Sequence, residues 1–480
     1  MQGFAGRRFR FGVHEMAAIG AVRISEEARL YALEELCWRA SLRDDDRRRW
    51  RVENAGAALV LRRSGGPGRV VFPRAAAELK SELTVRKGWL REGNDSLRAG
   101  VQDLVVPFCS ADSRPGEPLF VEAAPGVFRC TEDILASTVL VLSRYEEIGA
   151  AHKDQHGRFR STDSLAARDA YLDRPIVDEW GLALEQVIAA LEPGFRAERK
   201  LRVKISHDVD LIGIPFGLRE PAVQMIARRK PSVGLRDLFS GFKGVTPGSL
   251  RQVVEICEQV QARGLASALY WKASARTAHD SGYDIADPRV ARVMDWAAAH
   301  AVEMGAHPGY DTFANPAELT AEVERIRRAI GEREIGGRQH YLRWSPDTWR
   351  HWEQCGLVYD STLGYADRAG FRAGTCWPYQ PWLWNENRPA DLLEIPLIVM
   401  DQTLISPLYM GLSPDDSVTL VRDLMLKCAN VGGVFTLLWH NNCLGHPYAA
   451  YWPRIFDALA GRENYDWRED ARRGEVPRRV

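Results

Sequence analysis

From about residue 200 onward the sequence repeats one pattern: a short apolar run, then a helix with a marked start. The runs are "LRVKIS", "SALYWKAS", "VEMGAH", "RQHYLRW", "LVYDST", "LLEIPLIV" and "GGVFTLLWH". Runs this short, rich in branched and aromatic residues and bounded by turn formers, read as buried strands. Between several of them lie "ADPRVARVMDWAAAH", "ANPAELTAEVERIRRAIG", "SPDTWRHWEQCG" and "SPDDSVTLVRDLMLKCAN". Each opens on Asp, Asn or Ser followed by Pro. That is an N-cap and then a proline at the first helical position, where its missing N–H is no loss. Two close on glycine, the usual left-handed stop. About seven such units in ~260 residues predict a parallel sheet, either open or closed into a barrel.

The first ~200 residues do not alternate in this way and mix helix-like with strand-like pieces. "ISEEARLYALEELCWRASL" reads as a helix capped by Ser25, with glutamates in its first turn. "AALVLRRSGGPGRVVFP" reads as a hairpin, and "DILASTVLVLSRYEEIG" as a buried helix. A polar loop and a helix to about Leu191 follow, and "EPGFRAER" marks a boundary. The expected organisation is α/β: a smaller α+β domain over 1–195, an irregular (β/α) barrel of about seven strands over 196–460, and a charged tail over 461–480.

Composition removes some functional classes. Lys plus Arg and Asp plus Glu number 64 each, so no overall field draws the chain to nucleic acid, and basic runs such as "ARRK" at 227–230 read as solvated faces. No stretch approaches the ~18 apolar residues that cross a bilayer. The first twenty residues lack a continuous apolar core of the signal-peptide kind, which places the protein in the cytoplasm as an expectation. The eight cysteines are scattered without CxxC spacing, as reduced, buried thiols would be.

In a parallel α/β fold, ligands bind at the C-terminal ends of the strands. Here one strand after another ends in polar residues. "KISHDVDLIG" places His207, Asp208 and Asp210 at the end of the first run, although strand interiors disfavour Asp. "VEMGAH" ends on His307, "RQHYLRW" carries Arg338, His340 and Arg343, "LVYDST" carries Asp360, and "GGVFTLLWH" ends on His440. A lone histidine at a strand end is commonly structural, but five strand ends converging on one rim point to a metal or acid–base site. Two carboxylates with two or three histidines suit a borderline divalent ion such as Zn²⁺.

These residues carry a resemblance. Over roughly 200–445 the chain resembles the polysaccharide deacetylases (NodB-homology carbohydrate esterases), with the landmarks in order. "SHDVD" resembles the family's first motif, "GAHPGYD" its histidine motif, and "RQHYLRW" its arginine motif. "LVYDSTLG", "LLEIP" and "LLWHNN" resemble the later segments. The resemblance implies a metal-dependent enzyme that removes acetyl groups from sugars. It implies Asp208 as the base, Arg338 as its orienting partner and His440 as the acid, the three catalytic positions. It implies Asp210 and His307 as metal ligands. The family's second motif histidine is replaced by Asp311, so the third ligand is His340 or Asp311, with His340 favoured because 307–311 reads as a loop. The backbone N–H of Tyr341 is expected at the oxyanion, with Trp377, Asn441 and Asn442 as further substrate contacts. His207 is read as structural and Asp360 as a turn residue.

The expected substrate is an N-acetylated saccharide, or its nucleotide- or lipid-linked precursor in surface polysaccharide synthesis, with a homo-oligomer allowed. The rivals are a hydrolase of another linear amide and a carbohydrate-binding scaffold without catalysis. The first region also resembles the one that precedes such domains in some bacterial deacetylases, through "LSRYEEI", "HGRF" and "RPIVDEW". No chemistry follows from that likeness.

Overall fold

The computed structural model describes residues 23–43, 49–74, 84–87, 103–109, 114–150, 152–197, 199–210, 212, 247–273, 277, 279–280, 283–332 and 334–473. The first twenty residues and the basic run at 227–230 lie outside them.

Ser25 caps the first helix, α1 (Glu26–Arg39), by accepting from Ala28 N at 3.1 Å. The expected hairpin is the central pair of a sheet. β1 (Trp50–Asn54), β2 (Ala58–Arg63) and β3 (Arg69–Pro73) run antiparallel. A separate antiparallel ribbon comprises β4 (Thr84–Lys87) and β5 (Asp103–Val106). β6 (Phe120–Ala124) and β7 (Val127–Cys130) complete the first sheet in the order β1-β2-β3-β7-β6. Helices α2 (Ile134–Leu142) and α3 (Ile176–Leu191) follow. Gly181 lets α3 approach α1 closely, since a Cβ there would stand 2.3 Å from Arg39 Cβ.

The second half builds a parallel sheet on β8 (Arg202–Val209), β9 (Ser267–Trp271) and β10 (Glu303–Ala306). The helices between and after them are α4 (Pro247–Gln261), α5 (Pro288–Ala299), α6 (Pro316–Ile330) and α7 (Thr348–Gln354). Next come two-residue strands, β11 (Tyr359–Asp360), an antiparallel pair β12 (Trp382–Leu383) and β13 (Arg388–Pro389), β14 (Leu393–Glu394) and β15 (Val399–Met400). After α8 (Asp401–Ile405) and α9 (Pro414–Val431), β16 (Val434–Leu438) enters the sheet centre, followed by α10 (Trp452–Leu459) and β17 (Glu463–Asn464). The order is β10-β9-β8-β16-β15, with β17 on β8.

The caps read from Asp-Pro, Asn-Pro and Ser-Pro form at three helices. Asp287 accepts from Arg289 N, Asn315 from Glu318 N and Ser413 from Asp416 N. α7 starts later than expected, because the Thr348 hydroxyl captures Ser345 N–H and Ser345 does not cap.

Three expectations need correction. The barrel is not closed: single bridges Ala306–Gly337 and Gly337–Asp360 extend the sheet to β11 and β14, and no ladder among the described residues joins β14 to β15. "RQHYLRW" is not a strand. Gly337 packs so tightly on β10 that a Cβ would lie 1.8 Å from Ala306 O, and His340–Leu342 turns into a 3-10 segment. Residues 463–473, expected as a tail, are part of the fold, with Tyr465 N bonded to Val203 O and Arg202 paired with Asp470. One core cluster holds Leu33, Trp180, Ile205 and Phe435 together.

Candidate functional site

Parallel strands deliver their C-terminal residues to one rim. β8 ends with Asp208 and Val209 and is followed by Asp210. β10 is followed by His307, the Gly337 bridge by Arg338, and β16 by Trp439 and His440. The rim brings Asp210, His307 and His340 together, with one ligand atom from each within 4.8 Å of the others. Asp210 Oδ1 stands 3.3 Å from His307 Nε2 and 3.4 Å from His340 Nε2.

Hydrogen bonds on the far ring nitrogens orient both imidazoles. His307 Nδ1 donates to Arg338 O at 2.7 Å and His340 Nδ1 to Asp280 Oδ1 at 2.8 Å, with the proton assigned to Nδ1 in each. Both Nε2 atoms then face Asp210, and His307 Nε2 is buried with no hydrogen-bond partner. Burial depresses His340 to about 4 despite the Asp210 charge, which keeps it in the neutral form that ligates metals. Burial opposes ionisation of Asp210, but His340, His307 and His440 outweigh it and hold the carboxyl well below its usual range. Two imidazole nitrogens and one carboxylate oxygen fit a divalent ion such as Zn²⁺.

Asp208 lies beside this group, 3.7 Å from His307 Nε2, and Arg338 Nη1 donates to it at 2.8 Å. The rest of that guanidinium is anchored on Ser361 O, Ser361 Oγ and Ser206 Oγ. Burial works against the Asp208 charge, yet His307, Arg338 and His440 lower its pKa overall. Opposite, His440 Nε2 is 3.7 Å from Asp210 Oδ2, and its Nδ1 donates to Asp401 Oδ1 at 2.7 Å. Burial alone would depress His440, but Asp401 overcomes it and raises the imidazole to about 10.

Tyr341 and Leu342 carry positive φ of 60° and 54° in succession. Each left-handed bulky residue costs about 1–2 kcal/mol, so their surroundings must hold the turn.

Other expected residues fall elsewhere. Asp311 is not brought to the group: its side chain is 67% exposed and pairs with Arg343, because residues 307–311 form a loop instead of a helical turn. Trp377 is in the core, donating to Val431 O and packing where β16 begins, at the end of the strand opposite the rim. Asn441 is buried and Asn442 exposed, both directly after His440. Asp360 is no solvated turn residue. It is fully buried opposite Glu394, and burial pushes its carboxyl up to about 7. His207 bonds Trp439 O at 2.7 Å, a structural role as expected.

Sequence reasoning missed Lys272, Asp280 and Asp401. Lys272 Nζ is 3.1 Å from His340 Nδ1, 3.3 Å from Asp280 Oδ1 and 3.8 Å from Asp210 Oδ1. It ends "SALYWK" and Asp401 ends "LLEIPLIVMD", so the strand-end argument covers both. Asp280 is in a loop and has no such signal.

The fold and site define an α/β protein with a histidine–carboxylate donor set at its strand ends. A family model described as a family of unknown function (DUF7033) matches residues 77–193. No curated protein matches the chain. Several solved structures are similar to it. A putative polysaccharide deacetylase from Mycobacterium smegmatis has a TM-score of 0.40 at 16% identity, over 60% of this chain and 95% of that one. A putative polysaccharide deacetylase involved in O-antigen biosynthesis, from Bordetella bronchiseptica, has 0.27 at 11%, over 51% and 72%. A mutant CE4 family pseudoenzyme with restored enzymatic activity has 0.27 at 10%, over 58% and 64%. Among the described residues no helix is long and apolar enough to cross a membrane.

Proposed function

We propose that the protein is a metal-dependent hydrolase that removes the acetyl group of an N-acetylated saccharide. One observation carries the reading. The Asp210–His307–His340 donor group is flanked by an Arg-paired carboxylate, Asp208, and by a carboxylate-paired imidazole, His440. The ordered motifs of the sequence support the same class.

Asp210, His307 and His340 would hold a divalent ion, which when bound would supply Lewis-acid polarisation of the acyl oxygen and lower the pKa of water at the site. Asp208, ionised against Arg338, accepts the proton of the attacking water. His440, held protonated by Asp401, gives a proton to the departing amine. The Tyr341 N–H lies on the turn directly after His340, where it can donate to the developing oxyanion. The products are acetate and a free amino sugar.

The saccharide is free or carried on a nucleotide or lipid as a surface-polysaccharide precursor, and zinc is the proposed ion. The test is acetate release by the zinc-loaded protein from a panel of N-acetylated mono- and oligosaccharides and nucleotide sugars. Acetate from none of them, with stoichiometric metal bound, would sink the reading.

A further inference from the structure

We propose that Arg158, which lies in the region matched by the family of unknown function, is a positioning residue of the site. Its guanidinium holds the left-handed Tyr341–Leu342 turn that follows His340. The kinetic part of this proposal rests on the deacetylase reading; the structural part does not.

Residues 154–158 form a tight loop around one carboxylate. Asp154 Oδ1 accepts from His156 N at 2.8 Å and Arg158 N at 2.9 Å, and Asp154 Oδ2 accepts from Arg158 Nε at 2.7 Å. Gly157 supplies the positive φ the loop needs, +73°. Arg158 is thereby aimed across to the rim and is 8% exposed. Its Nη1 donates to Tyr341 O at 3.0 Å and its Nη2 to Tyr409 OH at 3.3 Å. An arginine serving only its own loop would be satisfied by Asp154, yet this one bonds two residues nearly two hundred positions or more further along the chain.

The turn it grips needs such a grip. Tyr341 and Leu342 are both bulky and both left-handed, a backbone that persists only where neighbours over-determine it. The His340 carbonyl accepts from Arg343 N, which fixes the peptide before Tyr341, and Arg158 fixes the peptide after it. His156 adds a cover on the same side, its ring 4.7 Å from that of Tyr341 and its Nδ1 3.1 Å from Tyr310 OH. The N-terminal region therefore helps to hold Tyr341 in its left-handed conformation, and so bears only through that residue on the preceding peptide, which carries the Tyr341 N–H.

The test compares Arg158→Ala and Arg158→Lys with Tyr409→Phe, which removes only the second partner. Amide exchange over 340–343 is expected to quicken about tenfold in Arg158→Ala and to stay near wild type in Tyr409→Phe. Unchanged exchange in Arg158→Ala overturns the proposal, whatever the chemistry of the site. In acetate release, kcat should fall about tenfold or more while KM stays within about twofold. Methylguanidine should restore part of that loss and methylammonium should not, because only a guanidinium offers the planar donor pair. A KM effect alone, or no rescue, overturns the catalytic part. Should Arg158→Ala not fold, Arg158→Lys keeps a cation for Asp154 and is read by the same two measurements. A wild type that turns over nothing defeats the deacetylase reading, and the exchange result still decides the role of Arg158.

Discussion

Arg338 Nη1 meets Asp208 Oδ1 at 2.8 Å, across 130 residues of sequence, and both side chains are essentially sealed from solvent. A buried guanidinium therefore favours the charged form of Asp208. Asp208→Asn keeps the shape and removes the base. It is expected to lower kcat by roughly 10²–10⁴-fold, with zinc content by atomic absorption unchanged. Wild-type turnover in Asp208→Asn would show that another group takes the proton.

Metal content separates His340 from Asp311. Asp210→Ala, His307→Ala and His340→Ala should each fall from about one zinc per chain to a small fraction of that, whereas Asp311→Ala should not. Loss of zinc in Asp311→Ala, with retention in His340→Ala, would reassign the third ligand.

Asp401 determines the charge of His440. Burial alone lowers the His440 pKa, and Asp401, with smaller contributions from Asp210 and Asp208, carries it to about 10. His440 then stays protonated through neutral pH and loses its proton as pH rises through about 10. Asp401→Asn should move the alkaline limb of kcat toward the ordinary histidine value of about 6.5. An NMR titration of the His440 ring that leaves its pKa in place would refute this account.

His207 makes stability depend on acid. It is fully buried, and burial outweighs its bond to Trp439 O and lowers it to about 4. The unfolded chain takes up the proton near 6.5, so this contribution is full above 6.5 and declines as pH falls toward 4. Denaturant midpoints in His207→Gln should flatten over that window relative to wild type. Parallel curves would mean that His207 does not titrate on unfolding.

Gly337 brings Arg338 onto the rim by letting its own backbone pack directly against β10. Gly337→Ala would place a Cβ 1.8 Å from Ala306 O. It should cost about 3 kcal/mol or more, read as a lowered urea midpoint, together with loss of activity. A midpoint unchanged from wild type would mean that β10 gives way without strain.

Much of the site was legible because strand alternation and strand-end placement are local signals. Polar residues closing apolar runs located Asp208, Asp210, His307 and His440, the arginine motif at the start of "RQHYLRW" located Arg338, and the strand-end rule, applied to "SALYWK" and "VMD", would have found Lys272 and Asp401. Asp280 carried no signal, because a loop carboxylate is significant only through the imidazole it meets. Trp377 was misplaced since composition does not say which end of a strand a side chain packs against. Asp360 looked like a turn residue because its burial depends on Glu394, paired across β11 and β14.

By itself the sequence determined the α/β class, the helix starts at Asp287, Asn315 and Ser413, and the polar character of the strand ends, all consequences of residues within a few positions of one another. Only the tertiary structure decided that His340 joins Asp210 and His307 while Asp311 turns to solvent. It alone left the sheet open and brought Arg158 to Tyr341. Those outcomes depend on distances between chain segments dozens to hundreds of residues apart, and close packing of the whole core sets such distances.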